Sequence, residues 1–541
     1  MKKNKVKLIL LLALFGISSY NYAQTAPFEI SIQPFNISGL GGLQSYAFGQ
    51  HEGKWLIVGG RLDGLHQRQP FSSFDIAGHN NQLIVVDPIA QKKWSAPITS
   101  LPASLQEQMS STNMQFFQEG DYLYCTGGYG YSATASDHVT FKNFTSIKVS
   151  EVINAVINQT AFTSFITQIT DTEFQVTGGR LKKIDSTFYL LGGQKFMGRY
   201  NPMGPNHGPG FTQDYTNAIR RFNVTNTNGL ITITHLTPYT DAANLHRRDY
   251  NAEPQILPNG KQGITMFSGV FQPTVNLPYL TSVLVDANGY ALNSTFKQYY
   301  NHYHCPALPI YSEKDNAMHT LFFGGIAQYY DTAGTLIQDN NVPFVNTIAR
   351  VTRDANGKMS EYKLPIVMPS LLGAGAEFIP NLDFPHFNND VFKLDSLSMD
   401  STLIGYIYGG ISSTLPNIFF INNGTQSDAS NQLFKVYIKN SNALSTDHLN
   451  ASSNSLLNLS LYPNPNVGVV NIAFHLAKQE DVTLSVLDAT GAMIKKIVLK
   501  NLAQGKNVYN MNIAKLTAGS MYFFTLETAT QKVTQKLVVK R

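Results

Sequence analysis

The residues best equipped for chemistry lie in three short stretches of the chain. His246-Arg247-Arg248-Asp249-Tyr250 gathers guanidinium, imidazole, carboxylate and phenol groups, His302-Tyr303-His304-Cys305 gathers imidazole, phenol and thiol, and Arg180 follows a glycine pair. Guanidinium forks and aromatic rings suit carboxylate or sugar recognition, which makes Arg180, Arg248, Tyr250, Tyr303 and His304 the candidate ligand-binding residues. Asp249 and His304 are the candidates for moving a proton, because a carboxylate or imidazole beside a ligand can act as general acid or base. Imidazole and phenolate also ligate copper, so His302 and His304 are the candidate metal ligands. In a strand, however, Tyr303 and Cys305 would face one way and His302 and His304 the other. No second ligand set accompanies them, and neither copper nor any other cofactor is expected. The same arginines and histidines could instead bond the carbonyls of neighbouring elements, and at this point both roles stay open.

The elements that must position these residues announce themselves as a repeat. A short apolar run closing in glycine occurs at Trp55 to Gly60, Tyr122 to Gly128, Phe188 to Gly193, Ile264 to Gly269, Thr320 to Gly325 and Ile404 to Gly410. Before the first four runs lies an earlier strand and a tight turn, such as His51-Glu52-Gly53 or Pro258-Asn259-Gly260, so each run is the second strand of a hairpin. A variable loop then leads to a third strand, and Asn228-Gly229, Asn288-Gly289 and Asn356-Gly357 turn it into a fourth. Four antiparallel strands repeated six times predict an all-β fold, a six-bladed β-propeller.

The Gly-Gly pair closing the second strand, the Asn opening the third and Trp94 after it in the first repeat resemble the kelch repeat of galactose-oxidase-like propellers. The resemblance covers about Gly42 to Lys439. It departs at the fourth copy, where Ser268 replaces the first glycine, and Trp94 lacks a counterpart in most repeats. A propeller must close or leave open sheet edges. Phe28 to Phe35 alternates apolar and polar residues, and the sixth repeat stops after its third strand, so residues 28–35 are expected to close blade six. In such a fold the lead-in segments of the inner strands ring the mouth of the central channel, where Arg180, Arg248 and His304 would fall. The loops after each Gly-Gly pair open on the same face, and their Phe196, Tyr200, Phe211, Tyr215, Tyr329 and Tyr330 are suited to stacking on sugars or entering a partner.

The two ends differ in kind from this body. Residues 1–23 combine four lysines with an apolar stretch, Leu8 to Ile17, and a small Ala23, the pattern of a secretory signal peptide. That stretch is about half the length a membrane-spanning helix needs, and no other such stretch is present. Two cysteines, Cys125 and Cys305, serve the whole chain, so at most one disulfide can form. The formal charge of +5 conceals an uneven distribution: the signal region carries +4 and residues 456–541 carry ten Lys and Arg against four Asp and Glu, which leaves the middle at −5. An acidic middle lacks the basic face that nucleic-acid binding requires.

Residues 440–455 are small and polar, the composition of a linker. Beyond them about seven short alternating runs predict a small Ig-like β-sandwich over 456–541. Tyr462-Pro463-Asn464-Pro465, Gly519 to Tyr522 and the terminal Lys536 to Arg541 resemble the C-terminal sorting domain of the Bacteroidetes type IX secretion system. The resemblance implies delivery to the periplasm by the signal peptide, recognition of this domain by an outer-membrane translocon, and a destination at the cell surface or outside the cell. The domain order expected is thus signal peptide 1–23, propeller 24–439, linker 440–455 and sorting domain 456–541. The function expected is a binding or adhesion module for a glycan or a surface protein. The alternative is a propeller enzyme, either a carbohydrate-active one resembling sialic-acid epimerases of the kelch type or a galactose-oxidase-like copper oxidase.

Overall fold

A computed structural model describes residues 27–540 apart from 69–72, 202–209, 333, 399, 441–456, 458 and 530–531. The signal region, and the linker beyond Asn440, lie outside the described residues. The chain divides into two compact units, Met1–Leu444 and Ser445–Arg541.

The first unit is all-β and propeller-like, with six antiparallel meander sheets of four strands each at their cores. Sheet one shows the pattern: Ala47–His51, Lys54–Val58, Gln82–Asp87 and Lys92–Pro97 pair in chain order. Its first hairpin turns on Glu52 and Gly53, both at positive φ, the conformation that matches the twist of the strands it joins. The first strands of sheets two to six are Thr112–Glu119, Arg180–Ile184, Asn251–Ile256, Ala307–Ser312 and Ala376–Pro380, and these strands lie against one another around the axis. Second strands such as Thr320 to Phe323 are buried on both faces, which is why they read as unbroken apolar runs. In sheet six Phe28–Phe35 pairs antiparallel with Leu433–Asn440, from Phe28 opposite Asn440 to Phe35 opposite Leu433. Phe28 is buried in the core between sheets five and six with Leu308, Ile348 and Ile438.

Among the described residues two α-helices interrupt the strand pattern, and Val149–Asn158 is the larger. Its Val149, Val152, Ile153 and Val156, at helical spacing, are buried in the core shared by sheets one and two. The loops after the glycine pairs are also more ordered than their composition suggests. Sheet three's loop holds the ribbon Gln194–Gly198 with Phe211–Tyr215, and sheet five's holds Tyr329–Thr332 with Thr335–Gln338.

The glycine pairs have a direct physical reason. A Cβ built on the first glycine of a pair would lie 2.4 Å from the Ser111 carbonyl oxygen at Gly59, 1.8 Å from that of Val176 at Gly127, 2.5 Å from that of Arg247 at Gly192, 2.0 Å from that of Leu372 at Gly324 and 2.1 Å from that of Leu43 at Gly409. Each of these carbonyls belongs to the lead-in of the neighbouring sheet, and each accepts the N–H of the second glycine at 2.7–3.0 Å. The last contact, Gly410 to Leu43, joins sheet six to sheet one. In sheet four Ser268 takes the same left-handed conformation, φ 55°, and its hydroxyl donates to the Tyr279 carbonyl at 2.7 Å.

A second set of backbone bonds closes on itself. Ser45 N–H donates to Gly375, Gly375 to His304, His304 to Asp249, Asp249 to Gly178, Gly178 to Asn113 and Asn113 to Ser45, at 2.7–3.4 Å. Five of these six residues have positive φ, including the non-glycines Ser45, Asn113 and Asp249.

Both Cys125 and Cys305 are buried free thiols, so the bridge that the sequence permits is not formed.

The second unit has a three-stranded sheet, Ser460–Tyr462 with Val469–Leu476 and Gly505–Asn512, and a four-stranded sheet of Met493–Leu502, Glu480–Leu487, Met521–Glu527 and Lys532–Val538. Val470, Ile472, Leu484, Phe524 and Leu537 are buried in its core.

Substitution at the glycine pairs should be costly in proportion to the carbonyl overlap. Gly120 also has positive φ but open space around its Cβ direction, so Gly120→Ala should cost about 1–2 kcal/mol. Gly127→Ala should cost on the order of 4 kcal/mol or more. Thermal unfolding of the two variants checks this, and equal losses would show that the overlap does not govern the position.

Candidate functional site

A cavity of about 640 Å³ opens where the loops after the glycine pairs meet the lead-in segments. Its floor includes Ser45, Asn113, Asp249, His304 and Gly375, five members of the closed backbone ring. One wall is aromatic. Phe211 stacks on Phe196 with centroids 4.7 Å apart and lies 5.2 Å from Tyr200, while Phe74 meets Tyr129 edge-on at 5.1 Å. The remaining lining is rich in side-chain amides, among them Gln44, Gln194, Gln213, Asn340 and Asn341.

Of the residues that the sequence points to, the structure brings Arg248, Asp249, Tyr303 and His304 to this cavity. Arg248 is held from several sides: its Nε donates to the Tyr215 hydroxyl at 2.9 Å, one terminal nitrogen pairs with the Asp249 carboxylate, and the guanidinium lies 5.3 Å from the Phe271 ring centre. Burial alone would lower its pKa, but Asp249 and Tyr215 outweigh burial and raise it. The Asp249 carboxylate is thereby engaged with Arg248, which bears directly on its candidacy as a general base. Tyr303 is largely enclosed, and burial pushes its hydroxyl pKa up.

Arg180, expected at the channel mouth, Tyr250, a ligand-binding candidate, and His302, a candidate metal ligand, do not line this cavity. Arg180 lies beneath the ring, where its Nε donates to the Tyr250 carbonyl at 2.9 Å and its guanidinium stands 3.6 Å from Glu377. Its role there is to bridge sheets three, four and six. Tyr250 is fully buried and donates its hydroxyl to the Leu191 carbonyl at 2.9 Å. Tyr250 lies just before the inner strand Asn251–Ile256 and just after Asp249, whose left-handed φ of 50° turns the chain there. His302 is also fully buried, with Nε2 2.9 Å from the Gln298 carbonyl and Nδ1 accepting the Gln328 N–H at 3.0 Å. Residues 301–306 are irregular rather than extended, so strand alternation does not apply, and Tyr303 and His304 both reach the cavity while His302 does not. Among the described residues no group of three His, Cys, Asp or Glu side chains is placed to hold a metal ion. Tyr215 serves as the holder of Arg248, and Tyr329 packs edge-on against Tyr299 at 5.0 Å, away from the cavity.

The cavity wall also contains residues that sequence reasoning passes over. Arg61 is 2% exposed and forms a two-pronged pair with Asp63, its Nε donating at 2.6 Å. The signal was available as the Arg-x-Asp spacing directly after a glycine pair. His66 packs against Phe74 and Tyr200 at 5.3 and 4.6 Å, and burial lowers its pKa to about 4. Arg68 and Phe420 stand at the rim, with no periodic context to mark them.

Below the floor, His304 Nε2 lies 2.9 Å from the Glu377 carboxylate. Burial and the nearby Arg180 lower the pKa of His304 against the pull of Glu377 and Asp249. Burial pushes Glu377 up, yet His304, Arg180 and Lys182 together outweigh it and hold the carboxyl below its ordinary range.

In the second unit the motif residues tie down the last strand. Asn464 donates to the Lys536 carbonyl at 2.6 Å and accepts the Val538 N–H at 2.9 Å. Gly519 donates its N–H to Val539 at 2.8 Å, and the Tyr522 hydroxyl accepts the Thr517 N–H at 3.0 Å. Tyr462 is 45% exposed beside Pro463 and Pro465.

Residues 460–540 match the secretion system C-terminal sorting domain. The protein is therefore exported through the type IX system to the cell surface or beyond, and the translocon is its partner in that step. Among the described residues no helix is long and apolar enough to cross a membrane. No curated protein matches the chain. Solved structures similar to it include the following two. One, described as "Structure of YjhT", has 10% identity and a TM-score of 0.39, covering 74% of this chain and 98% of that one. The other, an exo-1,5-alpha-L-arabinanase from a bovine ruminal metagenomic library, has 9% identity and a TM-score of 0.24, covering 73% and 92%. At these scores neither adds to what the sheets themselves display.

Two outcomes are expected. Deleting residues 456–541 should leave the protein inside the cell, read by fractionation and blotting, and normal export would contradict the assignment. The folded-state pKa values of His304 and Glu377 both lie below their ordinary 6.5 and 4.5, so the stability they contribute is complete above about pH 6.5 and is lost on acidification, first through His304 and then through Glu377. Melting temperature should fall with pH across this range, His304→Gln should flatten the upper part and Glu377→Gln the lower, and a rise in stability on acidification would show that Glu377 outweighs burial and Arg180 at His304, contrary to this reading.

Proposed function

We propose that the first unit is a six-bladed kelch-like propeller and that it is the glycan-binding module of an exported surface or secreted protein. In this reading a signal peptide over 1–23 precedes a propeller over 24–439, and a linker over 440–455 leads to an Ig-like sorting domain over 456–541. Six meander sheets, the glycine pairs that let each sheet approach the next, and the closed ring of backbone bonds support the propeller. The single observation that carries the function is the cavity at the mouth of the channel. An aromatic wall offers flat apolar faces for sugar rings, and the amide lining offers paired donors and acceptors for hydroxyl groups. A few polar groups converging on a concave, partly apolar surface are the usual make-up of a small-molecule site.

A glycan array probed with the purified full chain tests the reading, with the reducing-end products of any bound glycan followed over time to register turnover. Phe211→Ala should weaken binding of the best glycan about tenfold, the equivalent of one aromatic stack. Its melting temperature should stay close to that of the unaltered protein, since Phe211 is only partly buried at the cavity wall. An array without a binder, or full binding by Phe211→Ala, would overturn the proposal.

A further inference from the structure

Three guanidinium groups, Arg61, Arg68 and Arg248, line the cavity against the single carboxylate of Asp249. This positive lining belongs to a stretch of chain whose net charge is negative, so it is not a reflection of general composition. The three arginines are not equivalent. Arg61 is saturated on one edge by Asp63, and Arg248 is held by Asp249 and Tyr215. Among the described residues Arg68 has no carboxylate partner, and its guanidinium lies 4.7 Å from the ring centre of Phe420. The cavity's uncompensated charge is thus at its rim.

Phe420 is 72% exposed, a large apolar surface left in solvent at the edge of a pocket. It is not on a loose tip. Ile418, in the same turn, is fully buried, and Asn422, 1% exposed, donates to the Leu65 carbonyl at 2.7 Å. Leu65 N–H in turn donates to Ser427 Oγ at 2.9 Å. These bonds fasten the sixth sheet's loop to Leu65 of the first, three residues before Arg68, and so bring Arg68 and Phe420 to the same edge of the cavity.

Resting on the glycan reading, we infer that the ligand is an anionic saccharide, and that its carboxylate or sulfate group is taken by Arg68 while an adjoining sugar ring lies on Phe420. A guanidinium paired with an acidic group is worth more than a neutral hydrogen bond, and its planar fork matches a carboxylate or sulfate edge. The buried Arg61 and Arg248 shape the cavity through their aspartates, and the charge that selects the ligand is supplied by Arg68.

The test uses the full chain on an array carrying uronate-, sialate- and sulfate-bearing glycans together with neutral ones, followed by titration of the best binder. Anionic binders are expected, with affinity falling as salt is raised. Arg68→Gln should weaken binding about 10- to 100-fold, and Phe420→Ala about tenfold, both with unchanged melting temperature. Neutral glycans as the best binders, or an anionic binder indifferent to Arg68→Gln but weakened by Phe211→Ala, would overturn this inference and leave the glycan reading standing. An array with no binder at all would overturn both.

Discussion

Six main-chain hydrogen bonds, passed from sheet to sheet through Ser45, Asn113, Gly178, Asp249, His304 and Gly375, bind the first unit around its axis. Each bond is worth only about 0.5–1.5 kcal/mol net, but each also satisfies a donor and an acceptor that would otherwise be buried without partners. Their importance is therefore geometric. Inner strands can come close enough to share backbone groups only if little side chain stands between them. That closeness forces the left-handed turn at five of the six ring residues, and the glycine at the first position of five of the six pairs. At Ser268 the fourth sheet departs from the glycine rule, and there a serine hydroxyl and the buried Arg247 supply bonds to local carbonyls.

A floor built from main chain leaves the walls free. The ring bonds use N–H and C=O groups, so the side chains at these positions are free for other contacts without weakening closure, Asp249 pairing with Arg248 at the cavity and His304 with Glu377 below it. The walls come from loops anchored at both ends by strands, and several of those loops fold back as short ribbons. The cavity thus combines a rigid base with surfaces that owe nothing to the repeat. The charged network beneath the floor, Arg180 with Glu377 and His304, joins sheets three, five and six and holds the base from below.

What the sequence discloses follows this division. The glycine pairs are legible because backbone approach excludes every other residue type, and the alternation of Phe28 to Phe35 is legible because one face of that strand must be buried. The motif around Tyr462 to Pro465 is legible because its Asn464 and its neighbours serve one local purpose, the clamping of the last strand. The helix Val149–Asn158 is hidden by its own composition, since valine and isoleucine favour strands, although their spacing at 149, 152, 153 and 156 is helical. Arg248, Asp249 and His304 are found at the cavity because they belong to the lead-in segments, which the repeat locates. Tyr250 and His302 are lost because both lie in irregular lead-in segments, where no simple alternation decides which way a side chain points. Arg68 and Phe420 are invisible for a further reason: they meet through contacts between loops some 350 residues apart, as in the bond from Asn422 to Leu65.

The pairing of Phe28–Phe35 with Leu433–Asn440 also sets an order of events. A chain made from its amino terminus carries residues 28–35 without their strand partner until residue 440 exists, and the core between sheets five and six lacks Phe28 for the same interval. Joining segments so far apart in the chain is slow, because the loop must be closed before its contacts can repay it. The sixth sheet, and with it the core it shares with the fifth, can therefore be completed only when nearly all of the first unit has been made.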